Sequence, residues 1–401
     1  MLGGDAIFYK HEMIVNNRRI KMTILHVCGV ENKMSNGATV AVLNHVNEQA
    51  KTGLADIWAL HINDVQLNWN ELVHSVLMDD YEDAVSHVDL IVFHEIYYMP
   101  FFKMASYATK VGKPYVVIPH GGLTAGAQSQ RKYAKIIVNA IWAKKYIRQA
   151  AGVQFLSEKE RSAAVRWNDN SFIAPNGVRV TESCKYSQTN CDSSETDSSK
   201  VNLNKDNSTP SSDMKNGMNL IFIGRINLFY KGLDALVDAV ELIADKMRDV
   251  NISIDIYGPK EGDDRSQIED MVSKKSLGDL IKVHDGVFGR DKDQVMMGAD
   301  AFIQPSRSEG MPMGILDAMA IGLPVIVAPG TSFDKAVLDN DCGWVCQPEA
   351  ESIAQTIMQA YQERYLLESK SHNARSFVAD NYEWSKVARE TLDKYQEIAN
   401  K

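Results

Sequence analysis

The stretch SRSEGMPMGILDAMAIGLPVIV, residues 306–327, overlaps one apolar run, AFIQPS (301–306), and leads into another, PVIVAPG (324–330). Between them, residues 313–321 have the alanine, methionine and leucine content of a helix, so the segment reads as strand, helix, strand. Pro312 suits the first helical position, where its missing N–H costs nothing. The free N–H groups of that first turn and the positive end of the helix dipole then face an anion beyond the strand's end, and a phosphate is the obvious candidate. Glu309, just outside the helix, and Asp317, about one turn inside it, are acceptors that repel phosphate and suit sugar or ribose hydroxyls. Taken alone, the pair fits equally well an acid that complements the dipole plus a solvated helix acid.

Working outward, the same alternation fills the chain. Apolar runs at 22–29, 55–62, 89–96, 114–121, 152–158 and 171–178 form one set, and runs at 219–225, 252–259, 281–287, 301–306, 324–330 and 343–348 a second. Continuous apolarity marks strands covered on both faces, and helical stretches between them imply parallel βαβ units. The expected fold class is α/β: two Rossmann-like, doubly wound parallel-sheet domains facing across a cleft at the carboxyl ends of their strands. The expected boundaries are a disordered extension at 1–21, a first domain at 22–178, a polar mobile insertion at 179–216 and a second domain at 217–379. The insertion is rich in Ser, Asn, Asp and Lys and cannot bury enough surface to offset its ordering entropy. A terminal helix, 380–401, is expected to cross back to the first domain.

Size agrees with more than one core, since 401 residues exceed the roughly 150 typical of a domain. Hydrophobic residues at 45% and charged residues at 24% exclude a disordered or fibrous chain. No apolar run reaches eighteen residues and the N-terminus lacks a signal-peptide core, so a cytoplasmic location is expected. Five cysteines without paired spacing exclude a disulfide framework, and Cys342 and Cys346 in CGWVC read as buried thiols. The net charge of −9 is unevenly spread. From Ile96 to Ser157 there is no Asp or Glu, while Lys103, Lys110, Lys113, Arg131, Lys132, Lys135, Lys144, Lys145 and Arg148 are basic. Aromatic residues (Tyr97, Tyr98, Phe101, Phe102, Tyr133, Trp142, Tyr146) are interleaved with them. That composition implies an anionic partner, with peripheral contact to the inner face of a membrane as the favoured form and a solvated basic surface as the other.

The second domain opens with a strand, Gly224, Arg225, a short loop, Lys231, Gly232 and a helix with apolar residues at Leu233, Leu236, Val237, Val240 and Ile243. A guanidinium and an ammonium therefore emerge where a strand gives way to a helix, which suits a diphosphate. FIGRINLFYKG (222–232), PSRSEGMPMGILDAMAIGLPVIV (305–327), IAPNGV (173–178) and IPHGG (118–122) together resemble the retaining glycosyltransferases of family 4, which have the GT-B fold. The order of elements matches from about Met22 to the C-terminus.

By that resemblance Arg225 and Lys231 bind the donor diphosphate and offset charge on the departing nucleotide. Glu309 meets donor-sugar hydroxyls, and His120 faces the donor sugar across the cleft. Gly224, Gly310, Met311 and Met313 complete the donor surface, with Val287 and Phe288 as candidates for the base pocket. The loop Ser35, Asn36, Gly37 matches a flexible loop near the diphosphate, although the family usually has adjacent glycines and only Gly37 stands here. The family's second glutamate, which holds the ribose, is Asp317, shorter by one methylene or roughly 1.5 Å. The implied reaction moves a hexosyl group, with retention, from a UDP- or GDP-linked sugar to a glycan or lipid-linked acceptor in polysaccharide or glycolipid synthesis. No cofactor and no metal are expected, because Lys and Arg replace the ion, and no nucleic acid is expected as partner. Two other readings stand beside it: a GT-B-like sugar-nucleotide epimerase, and an inactive homologue acting as a binding subunit.

Overall fold

The computed structural model of the chain describes residues 21–32, 37–129, 132–180, 217–260 and 262–401. The expected N-terminal extension and polar insertion fall outside these residues, apart from Lys21, Arg179 and Val180. Ser35, Asn36 and Arg131 fall outside them too.

Two parallel sheets form the frame. The first has seven strands: β1 (Met22–Cys28), β2 (Ala55–His61), β3 (His74–Val76), β4 (Leu90–His94), β5 (Tyr115–Ile118), β6 (Gly152–Phe155) and β7 (Ser171–Ile173). Their order is β3-β2-β1-β4-β5-β6-β7. The second has six: β8 (Met218–Ile223), β9 (Ile252–Tyr257), β10 (Ile281–His284), β11 (Ala301–Gln304), β12 (Val325–Val327) and β13 (Gly343–Val345), in the order β10-β9-β8-β11-β12-β13. Both orders reverse direction beside their first strand, which places a crevice at the strands' carboxyl ends. Every expected strand is present, each shorter than its apolar run, because the run continues into the loop that carries the site. β3 was not expected: two of its three residues are polar and they pair only at the edge, His74 opposite Trp58.

Burial on both faces explains the continuous apolar pattern. Leu25, Ile91, Phe93 and Val117 point into one core of the first sheet, while Ile24, Leu90, Val92 and Val116 point into the other. Each such side chain contributes about 1.5–3 kcal/mol on burial. The second sheet repeats this, with Leu220, Phe222 and Ile254 on one side and Ile221, Phe302 and Val325 on the other. Cys342 and Cys346 are buried thiols on its opposite faces.

The terminal helical pattern is two helices, Leu367–Tyr382 and Trp384–Ala399. Between them Glu383 is extended and forms a parallel bridge with Val178, whose N–H and C=O bond Tyr382 and Trp384. The second helix packs on helix Gly37–Thr52, and its Leu392, Tyr395 and Ile398 enter the core of the first sheet. Among the described residues no helix is long and apolar enough to cross a membrane.

Candidate functional site

Lys231 is placed by a chain of local rules. The Asn227 side chain caps a single helical turn, Leu228–Lys231, accepting the N–H of Tyr230 at 2.8 Å. Gly232 then turns left-handed (φ 69°) and lies so close to β11 that a Cβ there would meet the Pro305 carbonyl oxygen at 2.2 Å. The Tyr230 carbonyl accepts the N–H of Arg307 at 2.9 Å, and Arg307 itself donates to Asp234 at 2.6 Å. These bonds fasten the turn carrying Lys231 to the loop carrying Glu309.

The result is a 2.7 Å ion pair between Lys231 Nζ and Glu309 Oε1, both side chains largely buried. The same oxygen accepts from Gln304 Nε2 at 2.9 Å and from Ser306 Oγ at 2.8 Å. Three donors thus hold Oε1, and Oε2 is the oxygen left for a ligand hydroxyl. The helix beyond begins at Met313, one residue later than expected, with Pro312 in the cap position. Arg225 is exposed on the loop after β8 and has no ion-pair partner among the described residues.

Asp317 does not stand alone as the sequence suggests. Lys292, on helix Gly289–Gly298, forms a 2.8 Å ion pair with its Oδ2. Val287 packs on the neighbouring core and Phe288 is exposed, both on the loop between β10 and that helix. Gly37 opens its helix rather than preceding it.

The first domain meets this loop directly. Ser157 Oγ donates to the Gly310 carbonyl at 2.8 Å, and Lys159 Nζ donates to that of Gly330. Asn176 places its backbone N–H 3.2 Å from Met311 Sδ and its side-chain amide 3.7 Å from Met313 Sδ. Burial lowers the pKa of Lys159, while the charge of Glu309 opposes the shift. His120 sits two residues past β5 in the left-handed region, φ 46°, a conformation a non-glycine residue adopts only where neighbours enforce it. Glu160 is that neighbour: its carboxylate accepts the N–H of Gly121 at 2.6 Å and that of Leu156 at 2.7 Å. The turn of His120 and the Ser157 contact to Gly310 therefore share one small helix start, which brings His120 and the Glu309 loop to the same cleft. Burial lowers the His120 pKa to about 3, so the ring is neutral at physiological pH.

Sequence reasoning missed Gln304, Ser306, Lys159 and Lys292. Each is an ordinary polar residue in an unremarkable position, and only its partner gives it meaning. Of the aromatic residues interleaved with the basic segment, Phe101, Phe102 and Tyr146 are core residues against Phe93, not surface groups. Tyr133 and Trp142 remain exposed.

Residues 205–377 match the family model described as glycosyl transferases group 1. The D-inositol 3-phosphate glycosyltransferase of Arthrobacter sp. (strain FB24) is 24% identical over 176 residues, which are 44% of this chain and 42% of that protein. The phosphatidyl-myo-inositol mannosyltransferase of Mycobacterium leprae is 25% identical over 184 residues, 46% of this chain and 47% of that protein. The matched part is thus less than half of either relative. Over nearly the whole chain the fold resembles Anabaena HepE in complex with UDP and glucose: TM-score 0.65, 16% identity, 94% of this chain and 100% of that one. It also resembles sucrose-phosphate synthase from Thermosynechococcus elongatus: TM-score 0.65, 16% identity, 94% and 99%. With two parallel α/β sheets meeting at the Lys231–Glu309 loop, the chain has the GT-B fold, and its residues 205–377 are similar to the group 1 glycosyltransferases.

Proposed function

We propose that the chain transfers a hexosyl group, with retention at the anomeric carbon, from a UDP- or GDP-linked sugar to a glycan or lipid-linked acceptor. The observation that carries this reading is the Lys231–Glu309 pair at the cleft, held by Gln304 and Ser306. When donor binds, Lys231 Nζ and the unpartnered Arg225 guanidinium meet the diphosphate and stabilise charge on the leaving nucleotide, a contribution of several kcal/mol in such sites. Glu309 Oε2 accepts a sugar hydroxyl, and His120 approaches the sugar from the first domain. Asp317, oriented by Lys292, takes the ribose at shorter reach than a glutamate. Among the described residues no side chain is an evident base for the acceptor, so a donor phosphate oxygen takes its proton. The two cations supply the positive charge that a divalent ion supplies elsewhere, so the reaction runs without one.

The test is nucleotide release from a panel of UDP-, GDP- and ADP-linked sugars, with water or added glycan as acceptor, in the presence and absence of EDTA. One UDP- or GDP-linked hexose is expected to turn over, at the same rate with the chelator. No release from any donor would overturn the reading, and abolition by EDTA would overturn the metal-free part of it.

A second feature supports work at the inner face of a membrane. Helix Lys132–Val138 and the π segment Asn139–Ala143 expose Tyr133, Ile136, Ile137, Ile141 and Trp142, with Lys144, Lys145 and Arg148 exposed just beyond. An apolar stripe bordered by cations, in a segment without a single acid, is complementary to anionic lipid. Vesicles containing anionic lipid are expected to pellet the protein, and the triple change Lys144→Ala, Lys145→Ala, Arg148→Ala to weaken this by about 100-fold, at roughly 1 kcal/mol per charge. Equal binding of the variant and the wild type would remove the membrane reading.

A further inference from the structure

Three neighbouring strands of the first sheet each carry a histidine in or just past their carboxyl halves: His26 inside β1, His94 closing β4, and His120 just past β5. They form a row. His120 Nε2 lies 3.3 Å from His94 Nδ1, His94 Nε2 lies 3.0 Å from His26 Nδ1, and His26 Nε2 lies 3.1 Å from Gln49 Oε1. His26 and His94 are fully buried, as is Gln49. None of the first two histidines' ring nitrogens is left over, whereas His120 Nδ1 makes none of the described hydrogen bonds.

A neutral imidazole has one N–H and one lone pair. In a row where each ring uses both nitrogens, the sense of every bond must therefore be the same, and one end decides it. Gln49 Oε1 can only accept. His26 then carries its proton on Nε2, His94 on Nε2 and His120 on Nε2. Behind the amide stands a phenol whose own proton is already committed. The Tyr395 hydroxyl gives its proton to Gln154 Oε1 at 2.6 Å, and Gln154 Nε2 is committed to the Ala174 carbonyl at 3.1 Å. The phenol oxygen thus offers only lone pairs toward the Gln49 amide, whose buried Nε2 makes none of the described hydrogen bonds. Ala174 belongs to the segment linking the two domains and Tyr395 to the terminal helix, so the row runs from the crossover elements to the cleft.

We propose that Gln49, His26 and His94 are positioning residues that lock His120 as the neutral Nε2–H tautomer, leaving its Nδ1 as a lone-pair acceptor for a hydroxyl of the donor sugar. The purpose assigned to the row rests on the donor-site reading of His120; the tautomer does not. Burial first, and then mutual repulsion, keep these rings uncharged: His26 is pushed down to about 3 and His94 falls well below the ordinary histidine range. His45 also faces His94, its ring 6.2 Å away, and it is lowered to about 4 by the same burial. It bonds Asn176 at 2.9 Å and stands outside the row. The described hydrogen-bond partners of these four rings are imidazoles and amides, with no carboxylate among them to stabilise a charge.

The experiment is the long-range nitrogen–proton spectrum of the full chain labelled with nitrogen-15 histidine, which reads the protonated ring nitrogen at each residue. Gln49→Leu and His94→Phe are the variants, and nucleotide release from the panel donors is followed in parallel. Wild-type His26, His94 and His120 are expected as Nε2–H tautomers from pH 8 to pH 6. In either variant His120 is expected to become a tautomeric mixture, with turnover reduced about tenfold, the worth of one ordinary hydrogen bond, and donor KM little changed. An Nδ1–H tautomer at His120 in the wild type overturns the row, as does an unaltered His120 in both variants. If the tautomer is lost while turnover stays normal, the row stands and its purpose at the donor site falls. Two variants are used because His94 is a core residue whose replacement can unfold the sheet.

Discussion

Glu309→Gln is expected to lower sugar transfer by about 10²–10³-fold without unfolding the chain. Glu309 Oε1 collects the Lys231 ammonium, the Gln304 amide and the Ser306 hydroxyl at 2.7, 2.9 and 2.8 Å. A glutamine of the same shape keeps one acceptor oxygen but loses the charge, and its NH2 has no place among three donors. If its oxygen stays with Lys231, the NH2 points at the sugar and donates where the carboxylate accepted. Lys231→Ala is expected to cost at least as much, since it also removes the cation facing the departing diphosphate. It leaves Glu309 largely buried without its partner, so part of its loss is an uncompensated charge rather than missing catalysis. The double variant separates the two: because the residues act as a unit, Glu309→Gln with Lys231→Ala is expected to be little worse than Lys231→Ala alone. Steady-state nucleotide release with thermal unfolding in parallel makes the measurement. Transfer at the wild-type level in both single variants would sink the assignment.

The strands were legible because both sheets are covered on both faces, which leaves continuous apolar runs such as LIVFH and LIFIG in the sequence. Lys231 and Glu309 were legible because a lysine before a glycine at a helix start, and an acid before a Pro-led helix, have local meanings. What could not be read is pairing at a distance. Lys292 lies 25 residues from Asp317, and nothing in its own surroundings distinguishes it from a surface lysine. A single histidine in an apolar strand reads as a satisfied core residue, and the row emerges only when β1, β4 and β5 lie side by side. The signal was present in the phrases LHVCG, VFHEI and IPHGG, three strand ends with a histidine in each, but using it requires the strand order. The break at Glu383 was hidden for a different reason. Residues 377–398 have helical propensity throughout, and a tertiary bridge to Val178 overrides it. Asp317 was half of the segment that first pointed to a site; with Lys292 beside it, it becomes an acid of fixed orientation rather than a weakened copy of a glutamate.

Acid is expected to unfold the first domain cooperatively between about pH 6 and pH 4, well above the range in which carboxylates alone would do so. His26, His45 and His94 are each at most 1% exposed, and all three are depressed in the folded state, chiefly by burial. In the unfolded chain they titrate near 6.5. Above that pH neither state binds the protons and stability is unaffected. As pH falls below it, the unfolded state takes up protons that the folded state refuses, and stability is lost until the folded values are reached, about 3 for His26 and about 4 for His45. Each histidine weakens the fold by up to about 1.4 kcal/mol per pH unit, so three together reach about 4 kcal/mol per unit, against a total of about 5–15 kcal/mol for a typical protein. Glu95 and Glu160 act in the opposite sense, because burial raises both and protonation relieves them. With His120, which burial also lowers to about 3, that is two groups against four, and the glutamates' relief ends near pH 4.5, where the unfolded carboxylates also protonate. Net loss therefore wins throughout the window. Urea midpoints at pH 8, 7, 6 and 5 are expected to be flat over the first two and to fall steeply after, with net uptake of protons on unfolding at pH 5. His45→Gln can keep the bond to Asn176 through its amide while deleting one titrating group, so it is expected to make the slope shallower. A stability profile level from pH 7 to pH 5 would show that these rings are not held neutral in the core.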